Sequence, residues 1–385
     1  MNNPNPGPKQ GTLCVHAGTH IDPRTGGVCS PIFTSTSYGF PNAANENVYP
    51  RYFNVPNQRV IAGKLAALEK GEDALVFGSG MAAISTTLLG FLKPGDHALF
   101  QADLYGGTHH FAVTELARLG IEVSLGRNVV EFAAAIRPNT RVIYIESPSN
   151  PLLQCIDIAA VSTLARAHGL ATLIDNTFAT PINQNPIESG IDVVIHSGTK
   201  YLNGHSDVNC GVVVSSRETI RRLTKSAVNF GGTLDSHACY QLERGLKTLA
   251  LRVRQQNQSA GTLATFLRGH PSIARVNYPG LHDHPSHPIA TRQMRGFGGM
   301  LSFELRDEGA VDKMISRFRL VTPALSLGGV ETLVCVPSRT SHVKMTAEDR
   351  RRAGIRDSLA RVSVGIEDLD DLIEDFTHAL GVTEN

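Results

Sequence analysis

The chain has 385 residues, 41% of them hydrophobic and 18% charged, with 36 Lys and Arg against 35 Asp and Glu. That length buries a large core and suggests two or three domains, and the composition excludes a disordered chain. Balanced charge offers no basic field for nucleic acid or a membrane surface, and the longest apolar runs are too short to span a bilayer.

The opening stretch, MNNPNPGPKQG, is rich in Pro and Asn and reads as a flexible arm, neither signal peptide nor transit helix. From residue 57 the pattern alternates. QRVIAGKLAALE predicts an amphipathic helix with Val60, Ile61, Leu65 and Leu68 on one side. ALVF (74–77) predicts a strand and MAAISTTLLGFL a helix. HALF, IEVSL, RVIYIE, ATLID, DVVIH and CGVVV follow as short apolar strands, most of them separated by helix-length segments. Such alternation predicts an α/β fold with a mainly parallel sheet covered on both faces. After Ser236 the rhythm changes to a long helical stretch reaching about His270, then to IARVNY, MLSFEL and LARVSV with helices between. HDHPSH (282–287), set among prolines and glycine, predicts a solvated loop rather than a metal site. Thr346, three residues before Asp349, predicts a capping-box helix start. The division is therefore an arm over 1–56, a large domain over 57–240 and a smaller α+β domain over 241–385. Six scattered cysteines with no C-x-x-C pair predict neither disulfides nor zinc, and hence a reducing cytoplasm.

Two motifs suggest chemistry. Gly78-x-Gly80-x-x-Ala83, between a strand and a helix, has the spacing of a dinucleotide fingerprint and by itself predicts an NAD-dependent enzyme. EVSL, however, carries no acidic residue to hold a ribose, and bare N–H groups at a helix N-terminus bind any phosphate. The second motif is VVIHSGTKYLNGHSD (193–207), which leaves an apolar strand and reaches Lys200 where α/β proteins keep their ligands. Asp175 ends ATLID, Asn150 follows the strand that runs into ESPSNP, and Tyr105 lies in ADLYGG after a fourth strand. A glycine turn, a carboxylate, an aromatic ring and a lysine would then meet at one edge of one sheet. Pyridoxal phosphate (PLP) requires this set: an amine for its aldehyde, a carboxylate to keep its ring nitrogen protonated, and neutral donors for its phosphate. Ser197 and Thr199 are the right residue types to share that phosphate with Gly80 and Met81.

SGTKYLNGHSD, ESPSNP, DNTF, SLGGVETL and RVSVGIED resemble the motifs of the Cys/Met-metabolism family of PLP-dependent enzymes, which includes cystathionine γ-synthase, cystathionine γ-lyase and methionine γ-lyase. The resemblance runs from VHAG (15–18) to the last helix. It implies a fold-type I subunit, a homotetramer of two active dimers, and γ-elimination or γ-replacement on a sulfur-containing or O-activated homoserine-type amino acid. An O-acylhomoserine sulfhydrylase or β-lyase of the same family is the alternative; an NAD-dependent enzyme and a non-catalytic cofactor-binding relative are remoter ones. By resemblance, Lys200 is the Schiff-base lysine, Asp175 the pyridinium partner, and Tyr105 the ring that stacks on the cofactor and serves in proton transfer. Asn150 lies near the cofactor's phenolic oxygen, and Gly80, Met81, Ser197 and Thr199 hold its phosphate. Tyr49 and Arg51 reach the neighbouring subunit's phosphate, and Arg361 clamps the substrate carboxylate with Ser326 beside it.

Departures from the family pattern fall on specificity. FNVPN separates Asn54 from Pro56, and Gly107 stands where many methionine γ-lyases carry cysteine. Leu325 stands where relatives acting on cystathionine often carry glutamate, while Arg339, Thr340 and Ser341 replace the usual residues of their segment. Leu325 and Arg339 together predict a pocket that disfavours a cationic far end of the substrate.

Overall fold

Runs of β-branched and other apolar residues, buried on both faces, make up the larger sheet, as expected of strands that lie between helical layers. The computed structural model describes residues 7–40, 46–343 and 346–381, without the side chains of Asp349 and Arg352. The strands of this sheet are β1 Asp73–Phe77, β2 His97–Gln101, β3 Glu122–Gly126, β4 Thr140–Glu146, β5 Ala171–Asp175, β6 Val193–Ser197 and β7 Gly211–Ser215. They are ordered β1-β7-β6-β5-β4-β2-β3, with β7 alone reversed.

Side chains alternate between two cores. One face packs Val76, Ile145, Ile174 and Val194 against Ile61, Leu65 and Leu68 of the helix Pro56–Glu69. The other packs Phe77, Phe100, Tyr144 and Ile195 against Ala83, Ile84 and Leu88 of the helix Gly80–Phe91. The second, smaller sheet comprises β8 Ile273–Asn277, β9 Met300–Leu305, β10 Thr322–Pro323, β11 Leu333–Cys335 and β12 Leu359–Ser363, ordered β10-β11-β12-β9-β8. Its core joins Phe303, Val362 and Leu372. No helix among the described residues is long and apolar enough to cross a membrane.

Four local features differ from the sequence-based expectation. The long helical stretch is two helices, Ser236–Lys247 and Leu249–Gly269, because Thr248 leaves the helical region at φ −105° and ψ 2°. The arm is partly structured: Gln10–His16 is helical, and its Cys14 is fully buried. Lys64, itself fully buried, holds that helix by donating to the carbonyl oxygens of Cys14 and Val15 at 3.1 and 3.4 Å. The HDHPSH segment is a loop over 282–286, with His287 opening the helix His287–Gln293, and His284 within it is buried, with Nε2 3.4 Å from Leu152 O. Finally, β1 lies at the sheet edge and pairs only with the reversed β7. A dinucleotide fingerprint needs parallel βαβ neighbours, which β1 does not have. The expected start of the helix Ala347–Arg352 involves the Asp349 side chain, which is outside the described residues.

Candidate active site

The carboxyl ends of β4, β5 and β6 stop together, since register places Glu146 beside Asp175 and Asp175 beside Ile195. Three residues past β6 the chain turns back on itself, with Lys200 N–H donating to Ser197 O at 3.2 Å and Gly204 N–H to Lys200 O at 2.8 Å. That turn aims Lys200 into a cavity of about 990 Å³ between the large sheet and the small domain. Its Nζ donates to Ser326 Oγ at 2.7 Å. Burial, reinforced by the charge on Arg361, pushes the amine down to about 8. A lysine in that state is a nucleophile rather than a fixed cation.

The small domain supplies the opposite wall. Arg361, on β12 and buried, donates through Nη1 to Asn150 Oδ1 at 3.0 Å and through Nη2 to Ser326 O at 3.1 Å. Its Nε is buried with no partner among the described residues. Such an orphaned donor in a cavity fits an incoming carboxylate. Ser326 holds φ +82°, a left-handed conformation that costs a non-glycine residue about 1–3 kcal/mol. This turn lets one residue meet both Lys200 and Arg361.

The residues present fit pyridoxal phosphate at each of its polar groups. Ser79 Oγ caps the helix Gly80–Phe91 by accepting from Ala82 N–H at 3.0 Å, which leaves the first-turn amides of Gly80 and Met81 free for an anion. Gly80 is required there, because a Cβ would lie 2.9 Å from Ser197 Cβ. Thr199 Oγ1 is already engaged with Asn209 Oδ1 and Cys210 O at 3.0 and 3.1 Å. Asp175 accepts from Thr177 N–H at 2.9 Å, and burial raises its carboxyl against the donors of Thr177. A buried carboxylate of this kind calls for a cation such as a protonated ring nitrogen.

Lys200, Asp175, Tyr105, Asn150, Gly80, Met81, Ser197, Thr199, Arg361, Ser326, Leu325 and Ser341 all line this one cavity. The remaining expected residues are elsewhere. Arg339 is exposed and ion-paired with Asp312, so its charge is spent outside the cavity and the expected contribution to the pocket is corrected. Tyr49 and Arg51 are exposed on the chain's own surface, with Arg51 Nη1 donating to Val228 O at 2.7 Å. Val55 of FNVPN is buried and precedes the helix Pro56–Glu69, whose Gln58 side chain accepts from Val55 N–H at 3.2 Å. The irregular spacing is thus absorbed at a helix start. Gly107 lies under the Tyr105 ring, where a Cβ would come within 2.5 Å of Cε1.

Sequence reasoning passed over Glu146, Asp103 and His342, which also line the cavity. Glu146 carried the same signal as Asp175, an acid at the carboxyl end of a buried strand. His342 is pushed down to about 4, first by burial and then by Arg361, and its Nδ1 is 2.8 Å from Ser341 Oγ.

Residues 11–381 match the family model described as Cys/Met metabolism PLP-dependent enzyme. The chain is 42% identical over 379 residues to the cystathionine gamma-lyase of Bacillus subtilis (strain 168), spanning 97% of this chain and 99% of that one. It is also 42% identical over 375 residues to the cystathionine beta-lyase MetC of the same strain, spanning 96% and 95%. Among solved structures, the cystathionine gamma synthase from Xanthomonas oryzae pv. oryzae, in complex with aminoacrylate and cysteine, superposes with a TM-score of 0.93 at 38% identity. That match spans 97% of this chain and 98% of the other.

Proposed function

The chain belongs to the Cys/Met metabolism family of PLP-dependent enzymes, and from that premise we propose that it catalyses γ-elimination or γ-replacement on a sulfur-containing or O-activated amino acid whose far end is uncharged. When bound, pyridoxal phosphate supplies an electron sink for the pair released at the substrate Cα. The chain's residues do the rest. Arg361 binds the substrate carboxylate through its free Nε and sets Cα within reach of Lys200. Lys200 Nζ would take the Cα proton, give it up to the cofactor's C4′ carbon and, neutral again, take one from Cβ, with Ser326 Oγ holding the amine between these positions. The Tyr105 phenolic oxygen takes a proton from the incoming amine and later gives it to the group that departs from Cγ. Elimination yields ammonia and a 2-oxo acid; replacement yields a new thioether.

Leu325 carries the specificity reading. It lines the cavity next to Ser326 and is 65% exposed in the single chain, offering an apolar contact where a carboxylate would greet an ammonium. A charged hydrogen bond is worth about 1.5–3 kcal/mol, or roughly ten- to a hundredfold in affinity. Leu325→Glu is therefore expected to raise kcat/KM for cystathionine about tenfold or more and to lower it for methionine or an O-acylhomoserine. Mass spectrometry of products from each substrate, with and without added cysteine, checks both the reaction type and the preference. Wild-type preference for cystathionine would overturn this reading. In that case Asp103, which lines the cavity beside Asp175 and Glu146 and has Arg127 nearby, would read the distal amine, and Asp103→Asn would abolish the preference.

The proposal includes a homotetramer whose active sites are shared. Arg51 sits in the arm ahead of the helix Pro56–Glu69, exposed and not among the residues lining its own subunit's cavity. Mixing inactive Arg51→Ala with inactive Lys200→Ala should restore activity through hybrid dimers that carry one intact site. Demonstrated subunit exchange without recovered activity would place Arg51 outside the neighbour's site.

A further inference from the structure

Glu146 is a buried acid in the cavity wall for which the mechanism above has no use. It ends β4 directly beside Asp175 on β5, so the two carboxyl side chains lie on the same face of the sheet at adjacent strand ends. Both are buried, at 4% and 7% exposure. The groups that bear on Glu146 are Asp175, Asp103 and the buried Tyr144 hydroxyl, and no ion pair is formed by it among the described residues. Lys200 in the same cavity is committed to Ser326. Two neighbouring carboxyls in such surroundings cannot both ionise.

N–H donors favour the anion at both carboxyls, so the assignment of the proton follows from the role of Asp175 given above. Asp175 accepts from Thr177 N–H at 2.9 Å, and the charge of His196 across the sheet favours its anion when that ring is protonated. Glu146 Oε2 accepts only from main-chain amides, that of Tyr105 at 3.0 Å being the clearest. Burial first and Asp175 second drive the Glu146 carboxyl well above its usual range. Glu146 in turn is held by its own N–H, which donates to Gln101 Oε1 at 3.0 Å.

We propose that Glu146 is a positioning residue that works in its neutral, proton-bearing form, leaving Asp175 as the lone anion beneath the cofactor ring while anchoring the main chain of Tyr105. One carboxyl of the pair thus serves charge and the other serves geometry. The inference rests on the roles given above to Asp175 and Tyr105, but it is read in a measurement that needs no turnover.

The test is the infrared carbonyl band of a protonated carboxylic acid in the holoenzyme near neutral pH, compared between protein labelled with ¹³C-glutamate and with ¹³C-aspartate. The expected band shifts with labelled glutamate alone and is lost in Glu146→Gln. Glutamine matches a neutral carboxyl in shape and keeps an acceptor for Tyr105 N–H, so this variant should retain kcat within about threefold and an unchanged pH profile. Glu146→Met, which keeps the volume but loses the acceptor, should lower kcat at least about tenfold with little change in KM and also lose the band. Absence of the band in the wild type, or a shift with labelled aspartate instead, would overturn the proposal. So would a band that survives in Glu146→Gln or, if that variant does not fold, in Glu146→Met. Activity in Glu146→Gln as low as in Glu146→Met would show that the residue is needed as an anion.

Discussion

Lys200→Ala is expected to lose the visible absorption of bound cofactor and at least about a thousandfold in turnover, because one amine both anchors the aldehyde and moves the protons. The structure explains why this lysine and not another. Lys64 is also buried and also pushed down to about 8, but its amine is spent on carbonyl oxygens at the end of the arm's helix and lies outside the cavity, so position and partners set the two apart. Lys200 has only the Ser326 hydroxyl, and its amine is pushed down to about 8 from an ordinary 10.5. At pH 7 that makes its neutral, reactive fraction about three hundredfold larger than an ordinary lysine's. The rate at which cofactor-free protein takes up pyridoxal phosphate should therefore rise with pH and level off above about 8, since a depressed amine is protonated below that value and neutral above it. Stopped-flow absorbance from about pH 6 to about pH 11 spans both values and checks it. A rate that keeps climbing to pH 10 would mean that Lys200 is solvated as any surface lysine is. A Lys200→Ala protein that keeps both absorption and turnover would sink the assignment outright.

Asp175→Ala should be the second most damaging change, lowering kcat at least about a hundredfold at saturating cofactor. The carboxylate ends β5, the central strand of the seven, and is buried, so its loss leaves a ring cation there without a charged partner. Loss should fall on kcat more than on KM, because in the proposed mechanism the substrate carboxylate is bound by Arg361 on the other domain. Asp175→Asn separates charge from shape: it can still accept from Thr177 N–H, yet should remain nearly as impaired as the alanine variant. An Asp175→Asn enzyme with wild-type turnover would show that the ring needs a hydrogen bond and no charge. Cofactor affinity from equilibrium dialysis and a substrate Cα deuterium isotope effect distinguish weak binding from a stalled proton transfer.

Much of this site was legible as text because each residue follows a strand. A run such as ATLID or DVVIH must be buried on both faces, and in a parallel sheet its last residue emerges at the ligand edge. Asp175, Lys200 and the Gly80 turn could therefore be placed together before any contact was known. Glu146 obeyed the same rule and was passed over only because its neighbours in ESPSNP drew the reading to Asn150. The glycine turn was the opposite case. Its local spacing suited a dinucleotide, and only the pairing of β1 with a reversed strand removed that reading.

What the sequence by itself determined was the alternation of buried strands and helices, a helix opening after the Gly78-x-Gly80 turn, and the chemistry that can end each strand. These depend on near neighbours and on a period of two or 3.6 residues, so they are written locally. The tertiary structure alone decided that Arg361 and Ser326 face Lys200 across two domains, with Ser326 126 positions after Lys200 in the chain. It alone set Arg339 against Asp312 and out of the cavity, and put two buried carboxyls side by side. Such contacts join residues far apart in the chain, and their energies come from burial and from the charge of whatever arrives alongside. A side chain's partner, unlike its chemical type, exists only once the strands have paired.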